Sequence, residues 1–422
     1  MRFEPLSPQE PIARPATRKR RKPAPLAGIL RRLGLVPSPD LDSLSKRILL
    51  PSLPVSDEEH AREQHFWVGQ RLARQDDWEI LANDIRRADR LRLRTPAGQT
   101  LSNLMAQGAR ADLVAAARDA IADGRTPDHG GLEALEEARN EYPGSYPITL
   151  VVALAHVDMG RLWRDHGRDA GELRFLEHFA QAEALLDAFD ATALDAPSIA
   201  SAQCALLAAR PTPRRHVADD YTRLIDLDPG TSAHMRALGE ALLPSRFGSL
   251  DEIELEARRC AARTDRVWGA GGYAWVWLDA LALDPDGLGV VDAPFFVEGL
   301  RAIATRLPDQ HVINQLTAFC ALVMAPHRQG RRLGLAKERA RATIHACLDW
   351  LVADHLRELH PLLWSQALIG AGRDTTLPPR RTVLQHGRTT ALRAIAERFA
   401  DDLADGHALA FSSAGMYRLP SL

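Results

Sequence analysis

The sequence predicts an all-α protein, a right-handed superhelix of antiparallel helix hairpins behind a disordered N-terminal arm. Three observations carry that reading. Hydrophobic residues make up 45% of the 422 positions but aromatics only 6%, and Ala, Leu and Arg are abundant, a mixture that suits helices better than sheets. Apolar residues return at helical spacing through nearly every segment after residue 55, and the breaks contain Pro, Gly or Asp. No segment alternates apolar and polar residues as a half-buried strand would, so all regular structure is expected to be helix.

The arm comes first. Residues 1–54 hold ten prolines and the run Arg18, Lys19, Arg20, Arg21, Lys22. They carry eleven Lys and Arg against four acids, a net of +7, which leaves 42 basic and 51 acidic residues in 55–422, a net of -9. Proline density forbids regular helix over most of this segment and charge keeps it solvated. Two short amphipathic pieces, 26–36 and 44–53, suit docking on the body, on a partner helix or on an anionic membrane surface. The basic run is a candidate anion contact, for nucleic acid among others, although no aromatics are interleaved with it.

The body is expected over 55–422, with a subdivision near 125–130 and another near 325–335. Ser56 opens it, with Asp57, Glu58 and Glu59 supplying an N-cap signature and first-turn acids. Helical spacing runs from 59 to 93 with a break at 75–77, which reads as a hairpin. A second pair follows at 101–107 and 111–123, closed by Gly124 as a C-cap. After 132–141 comes the helix around which the others are organised: Ser145 can cap it, and Ile148, Val151, Val152, Ala155, Leu162 and Trp163 give it an apolar face broad enough to need cover on more than one side. Further helices are expected at 172–189, 198–209, 216–227, 232–243, 250–263, 272–283, 293–307, 310–324, 335–354 and 388–403.

Cys204, Cys260, Cys320 and Cys347 each sit in an apolar helical context without metal-ligand spacing, as buried free thiols do, so a reducing cytoplasm is the expected compartment. The longest apolar run, ITLVVALAHV, is about half of a bilayer span. Neither secretion nor membrane insertion is expected.

The stretch YTRLIDLDPGTSAHMRALGEALL resembles the junction of two tetratricopeptide (TPR) hairpins, with Asp228-Pro229 at the turn and Ala237, Leu238 and Ala241 at the small and apolar positions. Three further segments are similar to those of a bacterial family of TPR-like helical proteins classed as a domain of unknown function. They are Pro143-x-Ser145 with Ala153-Leu154-Ala155 and Trp163-Arg164; Leu243 to Ser249, where Phe247 stands for the family's tryptophan; and Val312-Ile313-Asn314 with Ala318-Phe319-Cys320. The likeness spans roughly residues 130–330 and implies a fold and no chemistry.

Catalytic and metal patterns are missing from the sequence. His60 and His65, and His355 and His360, are five apart and share no helix face; His345 and Asp349, four apart, do. Gly269, Gly271 and Gly272 do not form a dinucleotide fingerprint, and no nucleophile elbow or P-loop is present. No cofactor or metal is expected. Trp268, Tyr273, Trp275 and Trp277 read as core, or as one wall of a binding groove. Asn314 reads as a side chain able to satisfy backbone groups at a helix start or between helices. The sequence therefore favours a non-catalytic scaffold or adaptor that holds an unidentified protein or peptide on the concave face of the array. Two alternatives stay open: an enzyme or small-ligand site inside the array, lined by residues such as His311, Asn314 and Trp275, and recruitment of nucleic acid or anionic membrane by Arg18 to Lys22.

Overall fold

The computed structural model describes residues 41–128, 130–166, 171–210, 216–326, 334–369 and 378–420. The helices come in chain order as α1 (Leu41–Arg47), α2 (Asp57–Arg74), α3 (Trp78–Arg90), α4 (Leu101–Ala109), α5 (Ala111–Ala122), α6 (Gly130–Glu141), α7 (Tyr146–His166), α8 (Gly171–Leu186), α9 (Pro197–Ala205) and α10 (Val217–Leu227). They continue as α11 (Ser232–Ala241), α12 (Leu250–Trp268), α13 (Gly271–Leu283), α14 (Ala293–Arg306), α15 (Gln310–Ala318), α16 (Leu335–His345), α17 (Leu348–Trp350), α18 (Pro361–Ile369), α19 (Arg380–Arg398) and α20 (Ala400–Ala404). The all-α class is as expected. Helices expected at 310–324 and 335–354 are interrupted, each passing into a π-helical turn, at Phe319–Val323 and Leu351–His355.

Local chemistry sets many of the starts. The Ser56 hydroxyl accepts from Glu59 N (3.2 Å) while Glu59 Oε2 accepts from Ser56 N (3.1 Å), the capping box that the sequence announces. Asp309 caps α15 by accepting from His311 N and Val312 N. At Ser145 the outcome differs: its carbonyl takes the first α7 hydrogen bond, from Thr149 N, but its hydroxyl is held by Arg86. Close helix contacts depend on glycine. A Cβ on Gly108 would lie 1.9 Å from Phe66 O, and one on Gly239 would lie 1.9 Å from Val276 O, so α2 against α4 and α11 against α13 pack backbone to backbone.

Helix α7 is the inner helix of the first half. Ile148, Leu150, Val151, Val152, Ala153, Ala155 and Val157 are buried, covered by α3, α4, α5, α6, α8 and α9. The interior divides into two main apolar clusters. One is built from residues between Leu72 and Leu224, the other from residues between Leu207 and Phe411, and Tyr221 of α10 packs against both. A polar tie joins the two halves, since Arg94 pairs with Asp228 and donates to Thr231 Oγ1 (2.8 Å), and the connector that carries Arg94 is held to α2 by Glu58, which accepts from Thr95 Oγ1 (2.9 Å) and Ala97 N (2.8 Å). The four cysteines are buried free thiols.

Two expectations need correction. The regular structure is not all helix: β1 (Ile48–Leu49) runs parallel to β2 (His407–Ser412), which pairs antiparallel with β3 (Gly415–Pro420). And the arm does not extend to 54, because residues 41–54 lie on the C-terminal part of the body. Leu44 and Ile48 sit in the second core, Arg47 donates to Leu403 O and His407 O, and Leu359 exchanges hydrogen bonds with Pro51 O (2.7 Å) and Leu53 N (2.9 Å). The stretch begins as the helix α1, and after it the prolines Pro51 and Pro54 do not prevent an extended chain from adding to a sheet. Of the two amphipathic pieces, 44–53 thus docks on its own body. The piece at 26–36 and the run Arg18, Lys19, Arg20, Arg21, Lys22 lie outside the described residues. The subdivision near 325–335 falls partly outside them as well.

Candidate binding surface

The aromatic residues of 268–277 are core and form no groove wall. Trp268, Tyr273, Trp275 and Trp277 are 5%, 0%, 1% and 0% exposed. Helix α13 is apolar except at Asp279 and is enclosed by α11, α12 and α14, as such a helix must be. Their polar atoms turn inward. Trp277 Nε1 (3.1 Å) and the Tyr273 hydroxyl both donate to Glu254, Trp268 Nε1 donates to Pro229 O (2.8 Å), and Trp275 Nε1 is buried without a partner.

His311 and Asn314, one turn apart on α15, meet different fates. Asn314 is wholly buried, and its amide is saturated: Nδ2 donates to Gln310 O (2.8 Å) and Glu358 O (2.9 Å), while Oδ1 accepts from His360 N and Trp364 Nε1 (3.0 Å each). It pins the 356–360 connector to α15, which is a structural role. His311 is half-buried. Its ring centroid lies 6.1 Å from that of His360, whose Nε2 is 3.0 Å from Glu358 Oε1, and the Nδ1 atoms of both histidines are buried without a partner. Burial, then the charges of His360 and Arg62, hold His311 down to about 4 against the opposing pull of Glu59, so it is neutral at pH 7.

The candidate metal pairs are taken up elsewhere. His345 Nδ1 lies 2.8 Å from Cys320 O, Asp349 is paired with Arg398, and His355 packs edge-on to Trp350. Among the described residues no group of three His, Cys, Asp or Glu could hold a metal ion, and no helix is long and apolar enough to cross a membrane.

His311 is the end of a polar stripe, a line of side chains on helices of both halves, linked by hydrogen bonds to Arg236 and by mutual charge effects. On α15, Gln315 accepts from Arg236 Nη1 and Nη2 (2.9 Å each) of α11, once its amide is turned to satisfy both. Arg236 also forms a bidentate pair with Asp279 of α13 (2.6 and 2.9 Å), and its charge reaches His311. One turn along α11, burial and the nearby Asp279 raise the pKa of Glu240, against Arg246 at 3.3 Å. Next comes Tyr221, where burial, Cys204 and Glu240 raise the phenol and Arg161 of α7 opposes them. Arg161 neighbours Asp158, Arg164 and Arg110. Glu59 and Arg62 of α2 stand at the His311 end. Arg161 and Arg62 are exposed; Asp158, Tyr221, Arg236, Glu240, Asp279, His311 and Gln315 are partly so.

Of this stripe the sequence singled out His311 alone. Asp279 carried a signal, as the one charged side chain in YAWVWLDALAL. Arg161, three residues after Asp158, looks like an ordinary helix-surface pair in the sequence, and only the packing of α5, α7 and α10 brings Arg110 and Tyr221 beside it. Comparison with protein-family models, with curated proteins and with solved structures finds no match in any of the three.

Proposed function

We propose that the protein is a non-catalytic scaffold or adaptor that holds an extended segment of a partner protein along this stripe. The observation that carries the proposal is continuity: partly exposed polar side chains on α7, α10, α11, α13 and α15 stand within electrostatic reach of one another in sequence, from Arg161 to His311. Successive helices that each offer one or two polar groups to a common line suit the backbone and side chains of an extended peptide. The likeness to TPR-type hairpins supports the same reading, since such arrays present their inner helices to a ligand. Placing a photo-crosslinking amino acid at Gln315 or Glu240, in cells that make the protein naturally, should trap one discrete partner. The same probe at Leu255, exposed on α12 and outside the stripe, should not. A partner trapped equally from Leu255, or only from there, contradicts the proposal.

A further inference from the structure

The two ends of the stripe differ in charge. At the α15 end the histidine is neutral, Glu59 pairs with Arg380 and acts on His311 against Arg62, and Glu358 lies beside His360, while in the middle Arg236 is matched by Asp279 and Arg246 by Glu240. At the α7 end the balance fails. Arg110 and Arg164 both stand near Arg161, and among the described residues Asp158 is the carboxylate that acts on it. That carboxylate is already engaged, since Arg110 Nε donates to Asp158 Oδ2 at 2.7 Å. Arg164 is committed to the ring of Phe175, 4.1 Å below its guanidinium carbon. Two donors are left over. The Arg110 side chain is only 9% exposed, and its Nη1 is buried with no hydrogen-bond partner. Arg161 is exposed and makes no ion pair or hydrogen bond among the described residues.

A buried guanidinium with an unmet N–H is costly, and like charges crowded together raise that cost. An anion brought to Arg161 from outside would offset the crowding of like charge, and the planar guanidinium fork matches a carboxylate. Building on the reading of the stripe as the binding surface, we infer that the Arg110–Arg161 end is an acidic-residue subsite, taking Asp or Glu side chains at one end of the partner's bound segment. The remainder of the stripe argues against a uniform polyanion: a nucleic acid laid along it would bring phosphates against Glu240 and Asp279. A peptide acidic at one end and neutral along the rest fits both parts.

The test uses the full 422-residue chain and fluorescence anisotropy. The probes are a labelled peptide with a run of glutamates at one end and Ala, Gln and Ser elsewhere, the same peptide with each Glu replaced by Gln, and a labelled single-stranded oligonucleotide. The glutamate peptide should bind and the Gln peptide should not. Arg161→Gln should weaken binding roughly five- to tenfold, while Arg71→Gln, which removes an exposed charge from α2 outside the stripe, should leave it unchanged. The difference between wild type and Arg161→Gln should shrink as salt is raised. Equal affinity of wild type and Arg161→Gln, equal loss in Arg71→Gln, or tighter binding of the oligonucleotide would overturn the inference. Failure of the glutamate peptide to bind would overturn it too, but would leave the stripe itself standing, because crosslinking from Gln315 tests that surface at the opposite end.

Discussion

Asn314, on α15, and Arg110, at the junction of α4 and α5, are both buried polar side chains, and they are finished differently. Every donor and acceptor of the Asn314 amide is met by the protein, whereas Arg110 keeps one N–H unmet beside a second arginine with no partner. A saturated polar group is complete without a ligand and stabilises a unique packing. An unsaturated one in a cation-rich corner is a place where something else has been left to supply the bond. The contrast separates residues that look equally unusual in a sequence, and it assigns Asn314 to the fold and the Arg110 corner to recognition.

The sharpest way to break this comparison is to delete the amide. Asn314→Ala leaves Gln310 O, Glu358 O, His360 N and Trp364 Nε1 without partners in a buried place, and should cost about 4 kcal/mol of stability in urea unfolding. A loss below about 1 kcal/mol would show that water replaces the amide and that saturation means little here. Next in size is the N-terminal strap. A chain beginning at residue 55 lacks Leu44 and Ile48 from the second core and β1 from the sheet, and should be less stable by about 3 kcal/mol than one beginning at residue 41. Equal melting temperatures of the two would show the strap to be decoration.

His311 offers a smaller, pH-dependent effect. Its folded value, about 4, lies below its ordinary 6.5, so between those pH values the unfolded chain binds the proton and the folded one does not. Stability from this group is therefore full above pH 6.5 and falls as the solution is acidified towards 4, by roughly 2 kcal/mol after allowance for its partial exposure. His311→Gln should flatten that part of the stability profile. Asp228 responds lower down: burial would raise it, but His234, Arg94 and Thr231 outweigh burial and hold it to about 2, so its contribution is lost only as pH falls from 3.8 towards 2. A wild-type profile that is flat between pH 6.5 and 4 would contradict the account of His311.

Much of the fold could be read from the sequence because it is local. The cap at Ser56, and the breadth of the apolar face of α7, need only a window of a few residues. The sheet could not be read in that way. HALAFS is Ala-rich and follows directly on a helix, and its parallel partner Ile48 lies hundreds of residues earlier, so nothing nearby marks it as a strand. The aromatic residues of α13 were ambiguous as single side chains, but Gly271 to Leu281 is apolar apart from Asp279, which was already a burial signal. Asn314 was legible as a backbone-satisfying side chain, while its partners at 358–364 were not. The Arg110 corner was invisible, because it is assembled from three helices and shows itself by a missing partner.

The most direct test sets Asn314→Ala beside Arg161→Gln, with urea unfolding and anisotropy of the glutamate peptide measured on both. The account predicts a clean division: Asn314→Ala loses stability, while Arg161→Gln unfolds within about 0.5 kcal/mol of wild type, because an exposed and unpaired charge has been removed, yet binds the peptide several-fold more weakly. An Arg161→Gln protein that is as destabilised as Asn314→Ala and binds the peptide normally would contradict it, and would return the Arg110 corner to the fold.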